Sequence, residues 1–384
     1  MKYTPADLFV LAKRYGNPRR SYLLVDPLQA KHLPVSPTKS LSMMDELGSQ
    51  LAAAHPDVGC IIGFAETATA IAGAAAMHFS PETVFVTTTR EPRKPNPFVL
   101  DFSEEHSHAV SQLLDISLIA KHLKFSLLND RSVLLIDDEI STGKTARNII
   151  HAIDQRLPLL ERYGKGFVLG SVINRMSAEQ REAFAAEGIC CDSLIYMDEN
   201  DLEKRVSVFD VEQPSGFEGL VERKFSEVDL SESAKIPDPR RGGLFVHDLR
   251  MWLNAFVEAA LSALASCRSV RSGERVLVLG TEECMLPAIM LGAELEKRVY
   301  AVVFSHSTTR SPIGICSAEG YPVTEGYRLS SFYEAGRDTY IYDPAEYDLA
   351  VVVTDSKDDL QRRKAMKDIT KIFGEVRDFV MINA

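Results

Sequence analysis

The stretch VLLIDDEISTGKT, residues 133–145, decides which fold we expect for this chain of 384 residues. Its first four residues are apolar and predict a buried strand, which ends at the carboxylates Asp137 and Asp138. A loop of small residues follows, and the next segment, ARNIIHAIDQRL, has apolar residues at helical spacing. We therefore expect a strand with an acidic end, a tight loop and a helix.

The loop that opens this helix has the properties of a phosphate site. Its backbone N–H groups lack helical partners, the helix dipole is positive there, and Thr142 and Thr145 add hydroxyl donors. The neighbouring carboxylates would repel a triphosphate, whereas paired acceptors suit the vicinal hydroxyls of a ribose. The combination favours a ribose 5-phosphate.

A nucleotide-binding P-loop is the main alternative, because STGKT ends like GxxxxGK[ST]. The first glycine of that pattern falls at Asp138, where a carboxylate replaces the residue that lets the backbone wrap around the phosphates. We therefore exclude a P-loop. A solvated turn after an acidic strand end is common for one aspartate, but it does not account for an acidic pair followed by STGKT.

VLLIDDEISTGKT resembles the phosphoribosyl pyrophosphate (PRPP) motif of type I phosphoribosyltransferases. The resemblance implies a doubly wound parallel α/β sheet with a hood over the ribose site, in a homodimer that uses Mg²⁺. It implies that Asp137 and Asp138 hold the ribose hydroxyls, assist catalysis and contribute to a Mg²⁺ bound mainly through the substrate. The residues that would bind the 5-phosphate are Ser141, Thr142, Gly143, Lys144 and Thr145.

The composition is that of an ordinary globular protein, with 45% hydrophobic and 25% charged residues. A net charge of -11 argues against nucleic acid or an anionic membrane as a partner. The chain has no apolar run of membrane-spanning length, and MKYTPADLFVLAKRYG lacks the apolar core of a signal peptide, so we expect a cytoplasmic protein. The six cysteines show no metal-ligand spacing, and we expect free thiols.

Upstream, DVGCIIGFAETATAIAGAAAM (residues 57–77) predicts a buried strand at 58–62, a break and an alanine-rich helix. Most such turns in α/β proteins bind nothing, but N–H groups at a helix start suit an anion. The turn resembles the pyrophosphate loop of the same family. The residues of this candidate loop are Gly63, Phe64, Ala65, Glu66 and Thr67.

A basic loop follows the strand that we predict at residues 84–88. In TTTREPRKP, prolines prevent a helix around Arg90, Arg93 and Lys94. A charge run is usually a solvated surface, but these cations follow the C-terminal end of a strand, the edge at which α/β folds bind ligands. We expect them to neutralise pyrophosphate, with Arg90 and Lys94 in catalysis.

Residues 98–123 predict a loop and then an amphipathic helix, because apolar residues recur from Val110 to Ile119. His106 and His108 lie beside two glutamates, but in a helix the two imidazoles would face different sides, which favours capping and exposure over a metal site. The family resemblance places a mobile catalytic loop here. It gives both histidines a role in closure or proton transfer.

The alternation of strands and helices continues to about residue 197 and predicts one mainly parallel sheet. We place the first domain at 1–228, with hood segments at 1–50 and about 198–228, a Pro- and Gly-rich linker at 229–243, and the second domain at 244–384. NPRRSYLLVDPLQAKHLPV resembles the N-terminal segment of phosphoribosyltransferases from tellurite-resistance (ter) gene clusters. That resemblance makes Lys31 and His32 hood ligands, although each alone could be a surface charge.

The second domain repeats the order of the first. VLVLGTEE corresponds to CIIGFAET and VVFSHSTTRSP to VFVTTTREP, while VVVTDSKDD replaces the central motif without its Thr-Gly-Lys-Thr cradle. We infer a degenerate copy, duplicated or convergent, because shared α/β architecture accounts for the glycine after the strand but less well for Thr-Thr-Arg-x-Pro. TTRSP also resembles the signature of the TRSP domain, found C-terminal to the same ter-cluster enzymes. Its candidate ligands are Glu282, Glu283, Thr309, Arg310 and Ser311.

These patterns predict a phosphoribosyltransferase that joins PRPP to a base or another nucleophile and releases pyrophosphate. The ter-cluster resemblance implies a nucleotide-like product and a role in tellurite resistance or stress response. Two alternatives stay open, a PRPP- or nucleotide-binding regulatory protein without turnover and a scaffold for partners. No pattern in the chain identifies the acceptor.

Overall fold

The computed structural model of the chain describes residues 2–17, 20–91, 96–103, 111–124, 131–157, 166–197, 201–217, 221–231, 240 and 242–384. The chain forms two compact units. The first contains residues 1–5, 43–200 and 237–251, and the second contains 6–42, 201–236 and 252–384. Most of both predicted hood segments thus belongs to the second unit. The domain limits at 228 and 244 stay a prediction, since the units are built from interleaved segments.

The described elements follow one another along the chain. The first are α1 Pro5–Leu8, β1 Val10–Lys13, β2 Tyr22–Val25, α2 Pro37–Ala54, β3 Val58–Gly63, α3 Thr69–Ala76, β4 Val84–Thr87, β5 Val99–Ser103, β6 Ser111–Asp115, α4 Ser117–Lys124, β7 Ser132–Ile140, α5 Lys144–Arg156, β8 Phe167–Asn174, α6 Ala178–Ala186, β9 Ile189–Tyr196, α7 Leu202–Ser207 and β10 Ser226–Asp229. The others are β11 Leu244–Phe245, α8 Val246–Cys267, β12 Arg275–Gly280, α9 Leu286–Val299, β13 Val302–Ser307, β14 Gly326–Ser330, β15 Asp338–Tyr342, β16 Leu349–Thr354, α10 Asp359–Ile372 and β17 Asp378–Asn383.

The first unit is organised around a six-stranded sheet with the order β11-β4-β3-β7-β8-β9. Its strands are parallel except for β11, which is antiparallel to β4 at the edge. Every residue of β3 and β8 is buried, as expected for a parallel sheet covered on both faces. The predicted α/β fold and the strands at 58–62, 84–88 and 133–136 are confirmed. Because β4 and β7 flank β3, the winding direction changes there, where ligands bind in such folds.

The amphipathic helix predicted from Val110 onward is wrong over its first part. Residues 111–115 form strand β6, which pairs antiparallel with β5, and the helix begins only at Ser117. In this strand Gln112 and Leu114 are buried while Leu113 and Asp115 are half-buried, which is the two-residue period of a strand. Two adjacent leucines fit both periods, so the apolar pattern alone could not distinguish them.

The second unit contains a five-stranded parallel sheet with the order β10-β17-β16-β12-β13. Read from its other edge, this sheet contains the order β13-β12-β16-β17, which corresponds to β4-β3-β7-β8 in the first unit. In both units the second strand of this order comes first along the chain. The antiparallel hairpin β14–β15 stands between β13 and β16 in sequence, as β5–β6 stands between β4 and β7. The second unit therefore repeats the fold of the first, with β10 in the place of β9.

The six cysteines are free thiols. Of the helices in the described ranges, none combines the length and the apolar character that crossing a bilayer requires.

Candidate functional site

The acidic pair lies where β7 leaves the core. Residues 132–136 are buried, and Asp137 and Asp138 are half-buried. The Asp137 carboxylate accepts the N–H of Asp138 at 2.9 Å. The Asp138 carboxylate accepts the hydroxyl of Thr67 at 2.9 Å, which joins the acidic strand end to the candidate pyrophosphate loop. Within the described ranges Asp138 forms no ion pair, and its half-buried carboxylate faces the Thr67 hydroxyl and solvent.

The third acidic residue of the motif has a different environment. Glu139 forms an ion pair with Arg175 at 3.1 Å, and both side chains are nearly buried. Arg175 therefore neutralises one of the three consecutive carboxylates of the motif. Local sequence does not predict this pair, because Arg175 comes directly after β8 and is 36 residues away from Glu139.

The loop before α5 is built for close approach of a ligand to the backbone. Gly143, the residue before the helix, has a left-handed φ of 71° and no side chain to cap the helix, while the N–H of Lys144 donates to Thr142 Oγ1 at 3.4 Å. A Cβ at this position would lie 2.6 Å from the ring of Phe184 and 2.7 Å from the sulfur of Met176. Only glycine fits both the conformation and the space. The first turn of α5 thus presents N–H donors and a positive dipole end to an anion.

Side chains hold both backbone polar groups of Ala65 in the candidate pyrophosphate loop. Thr88 Oγ1 accepts the Ala65 N–H at 2.7 Å and donates to the side-chain oxygen of Gln112. Gln112 Nε2 in turn donates to the Ala65 carbonyl at 2.9 Å. Thr88 and Gln112 are fully buried, and the Ala65–Glu66 peptide bond is cis. Gln112 is not among the residues predicted for the site, although a polar residue inside the alternating pattern of SQLLD is a usable signal.

Two of the N–H groups in this loop are committed within the fold. Besides Ala65, the N–H of Phe64 donates to the carbonyl of Ile136 at 3.1 Å. We therefore assign no pyrophosphate contact to the N–H groups of Phe64 and Ala65. Gly63 has a packing role, because a Cβ there would lie 2.5 Å from that of Ala72.

Arg90 lies at the same edge of the sheet, directly after β4. The Thr88 N–H donates to the Gly63 carbonyl at 2.9 Å, and Thr89 exchanges two backbone hydrogen bonds with Leu113. These bonds fix the backbone that carries Arg90 next to the loop, and the Arg90 side chain is half-buried. The other predicted catalytic or pyrophosphate-binding residues of this region, Arg93, Lys94, His106 and His108, lie outside the described residues.

In the second unit, the predicted ligands form a buried ionic cluster. The carboxylate of Glu282 accepts from Arg310 Nε at 2.8 Å, from Arg337 at 2.9 Å and from the Ser331 hydroxyl at 2.6 Å. Glu283 is 4.0 Å from Arg310. Thr309 pairs with Tyr340, and the Ser311 N–H donates to Thr309 Oγ1 at 3.2 Å.

The two predicted hood ligands, Lys31 and His32, are buried in the second unit. The ammonium group of Lys31 donates to the carbonyls of Glu282 at 2.9 Å and Thr308 at 3.1 Å. Lys31 thus contacts the loop of the repeat to which it belongs. Its assignment as a hood ligand stays a prediction.

Comparison with known families identifies the class of protein that this fold and site define. Residues 8–193 match the family described as phosphoribosyl transferase, and residues 243–370 match the TRSP domain that lies C-terminal to that family. The chain belongs to the phosphoribosyl transferases that carry a TRSP domain. No curated protein matches the chain.

Solved structures with a similar fold cover about half of the chain. Adenine phosphoribosyltransferase from Giardia lamblia with 9-deazaadenine is 16% identical, with a TM-score of 0.36, and the match covers 52% of this chain and 100% of that one. Adenine phosphoribosyl transferase from Trypanosoma brucei with AMP, pyrophosphate and ribose-5-phosphate is 14% identical, with a TM-score of 0.34 and coverages of 52% and 85%. Orotate phosphoribosyltransferase from Mycobacterium tuberculosis is 19% identical, with a TM-score of 0.29 and coverages of 51% and 92%. At these scores the likeness carries no argument about function.

Proposed function

We propose that the chain is a PRPP-dependent phosphoribosyltransferase that transfers ribose 5-phosphate to an acceptor nucleophile and releases pyrophosphate. The family match supports phosphoribosyl transfer. The observation that carries the proposal is the hydrogen bond from Thr67 to Asp138. It joins the acidic strand end to the candidate pyrophosphate loop, and the uncapped start of α5 follows the same strand end five residues later.

The three parts of PRPP correspond to three parts of this edge. The loop of residues 141–145 would bind the 5-phosphate through the N–H groups at the start of α5. Asp137 and Asp138 would accept hydrogen bonds from the ribose hydroxyls. The pyrophosphate would lie against Arg90, with Arg93 and Lys94 as further ligands proposed from the sequence. His106 and His108 keep their proposed part in closure or proton transfer.

In the reaction, the bond between the anomeric carbon and a pyrophosphate oxygen breaks, and pyrophosphate leaves with the electron pair. Positive charge develops on the ribose, where the carboxylates of Asp137 and Asp138 stabilise it, while Arg90 stabilises the charge on the leaving group. The acceptor forms the new bond with its lone pair and loses a proton, which Asp138 can accept. The protein therefore contributes mainly positioning and electrostatic stabilisation.

The residues present fit a Mg²⁺ ion that is bound mostly by the substrate. Within the described ranges no three His, Cys, Asp or Glu side chains are placed to hold a metal. Asp137 and Asp138 offer the carboxylate oxygens that Mg²⁺ prefers, and the ion would take its other ligands from PRPP and water. When bound, Mg²⁺ supplies charge neutralisation on the pyrophosphate.

Binding of PRPP, measured by calorimetry with Mg²⁺, tests the proposal. Asp138→Asn should weaken binding by about 100-fold, because it removes the charge from hydrogen bonds worth about 1.5–3 kcal/mol each. Asp355→Asn is the matched control, since Asp355 in the second unit, like Asp138 in the first, lies two residues after the residue paired with the strand-end glycine. Equal affinities of both variants, or no binding by the wild-type protein, would contradict the assignment.

Exchange of labelled pyrophosphate into PRPP then separates an enzyme from a regulatory protein. An enzyme should catalyse this exchange once its acceptor is supplied, for example from a cell extract. Tight binding without exchange under any of these conditions would instead favour a PRPP- or nucleotide-binding regulator. The acceptor, the nucleotide-like product, the homodimer, the cytoplasmic location and the link to tellurite resistance are proposals that rest on the family resemblance.

A further inference from the structure

The candidate pyrophosphate loop of the first unit has a structural counterpart in the second. Thr88 Oγ1 accepts the Ala65 N–H at 2.7 Å, and Thr308 Oγ1 accepts the Glu282 N–H at 3.0 Å. The N–H of each threonine also donates to the carbonyl of a strand-end glycine, at 2.9 and 3.1 Å. These bonds make Glu282 the counterpart of Ala65.

The residues that follow the two threonines also correspond. Thr89 exchanges backbone hydrogen bonds with Leu113 of the first hairpin, and Thr309 does the same with Tyr340 of the second. Arg90 is therefore the counterpart of Arg310. The register gives a further pair, since Gly63 lies opposite Ile136 and Gly280 opposite Val353, two residues before Asp138 and Asp355.

The two loops differ at several positions, and one of these differences adds a carboxylate. Where the first unit has the methyl group of Ala65, the second has the carboxylate of Glu282, which is fully buried and bound by Arg310, Arg337 and Ser331. A buried carboxylate is strongly unfavourable unless it is paired and hydrogen-bonded. Here the three donors satisfy it. Arg310 is thus neutralised from within its own unit, while no carboxylate can reach Arg90 from position 65.

The group that donates a hydrogen bond to the carbonyl of this loop residue also differs in charge between the two units. In the first unit the neutral amide of Gln112 donates to the Ala65 carbonyl at 2.9 Å. In the second unit the ammonium of Lys31 donates to the Glu282 carbonyl, also at 2.9 Å. Compared with the first loop, the second loop has one more carboxylate, that of Glu282, and one more cation, that of Lys31. The anion at this loop is therefore a side chain of the protein itself.

We propose that the side chain of Glu282 occupies the anion site of the second unit, in the place that the first unit leaves for pyrophosphate. The anion site of the second unit is then filled by the protein itself, and the chain binds one PRPP. The identity of the anion in the first unit rests on the proposed function. The built-in anion of the second unit rests on its contacts alone.

The test compares melting temperatures of the full-length protein and its variants, with and without millimolar phosphate or pyrophosphate at constant ionic strength. Glu282→Ala should melt below the wild-type protein, because Arg310 and Arg337 lose the buried carboxylate that binds them both. Added phosphate should raise its melting temperature by at least about 3 °C more than that of the wild type, through binding to the emptied site. The matched control is Glu334→Ala, which removes an exposed carboxylate from Arg337.

Equal phosphate shifts in Glu282→Ala, Glu334→Ala and the wild type would overturn the inference. If Glu282→Ala does not fold, Glu282→Ser decides by the same criterion, because the shorter side chain removes the charge and opens the same space while keeping a polar group. A calorimetric stoichiometry of two PRPP per chain would also overturn it. Without any PRPP binding the proposed function fails, while the phosphate measurement still decides whether Glu282 is a built-in anion.

The reciprocal change introduces the carboxylate into the first unit. Ala65→Glu should lower PRPP affinity at least about tenfold more than the neutral, equally large Ala65→Gln, because the new charge would pair with Arg90 and repel pyrophosphate. Equal losses in the two variants would mean that size, and not charge, closes the site, which contradicts the proposal.

Discussion

The buried ring of hydrogen bonds around Ala65 predicts that Thr88→Val weakens PRPP binding. Valine has the shape of threonine but lacks the hydroxyl that accepts the Ala65 N–H and donates to Gln112. Two hydrogen bonds disappear, and a buried N–H and a buried amide oxygen lose their partners. At about 1–2 kcal/mol for each lost bond, the first unit should lose about 2–4 kcal/mol of its free energy of unfolding.

The hydroxyl matters for function because the loop that it holds also carries Thr67, the donor to Asp138. Once the Ala65 peptide is released, the loop and the acidic strand end no longer share one fixed geometry. We expect the dissociation constant of PRPP to rise by about tenfold, equivalent to about 1.4 kcal/mol. Calorimetry gives the affinity, and urea unfolding followed by fluorescence gives the stability.

Thr308→Val is the matched control, because Thr308 accepts the corresponding N–H of Glu282 at 3.0 Å in the second unit. It should cost about 1–2 kcal/mol in the unfolding of that unit and leave PRPP affinity unchanged. If Thr88→Val loses stability but binds PRPP as the wild type does, the ring around Ala65 is purely structural and its coupling to the site is refuted.

Three further predictions concern the cradle, the acidic strand end and the pH dependence. Gly143→Ala should lower the free energy of unfolding by roughly 2–4 kcal/mol, about 1–2 kcal/mol from the left-handed conformation and the rest from the contact with Phe184. It should also abolish PRPP binding, and an unchanged affinity by calorimetry would contradict the role of this loop as the phosphate site. Arg175→Met should cost about 3 kcal/mol because it leaves the charge of Glu139 without its ion pair, and adding Glu139→Gln should restore most of that in a double-mutant cycle; additive effects would contradict the pairing. Burial lowers the pKa of His306 from 6.5 to about 4. Between these pH values the unfolded chain therefore binds a proton that the folded chain does not, and the free energy of unfolding should fall by about 3 kcal/mol as the pH drops from 6.5 to 4. Urea midpoints across this range should show a flatter profile for His306→Gln, and an unchanged slope would contradict the role of this histidine.

Local sequence was enough to predict the strands and turns that carry the candidate site. The runs 58–62 and 133–136 are apolar because their strands are covered on both faces, and the glycine or aspartates after them mark where the chain leaves the core. In these segments the hydrophobic period, the turn residues and the tertiary environment agree, which is the condition under which local patterns are reliable.

The partners of the site residues could not be predicted in the same way. Gln112 was read as part of a helix because two adjacent leucines fit helical and strand periods equally well. Lys31 was assigned to a hood because nothing local shows that its ammonium lies on the carbonyls of Glu282 and Thr308, which are more than 250 residues away. Such contacts depend on which strands become neighbours, and that information is spread over the whole chain.

The two repeats differ at both ends of the site where PRPP would bind, and at each end the second unit has a carboxylate that the first unit lacks. At the loop, Glu282 replaces Ala65. At the helix that follows the strand end, Asp358 caps α10 by accepting the N–H of Gln361 at 3.0 Å, where Gly143 leaves α5 uncapped. A carboxylate at a helix start satisfies the N–H groups and the dipole that would otherwise attract phosphate. Either change alone would weaken PRPP binding. Both together give the loop and the helix start, the two anion-binding features of the fold, an internal carboxylate as partner. Glu282→Ala alone should therefore create a site for pyrophosphate or phosphate but not for PRPP.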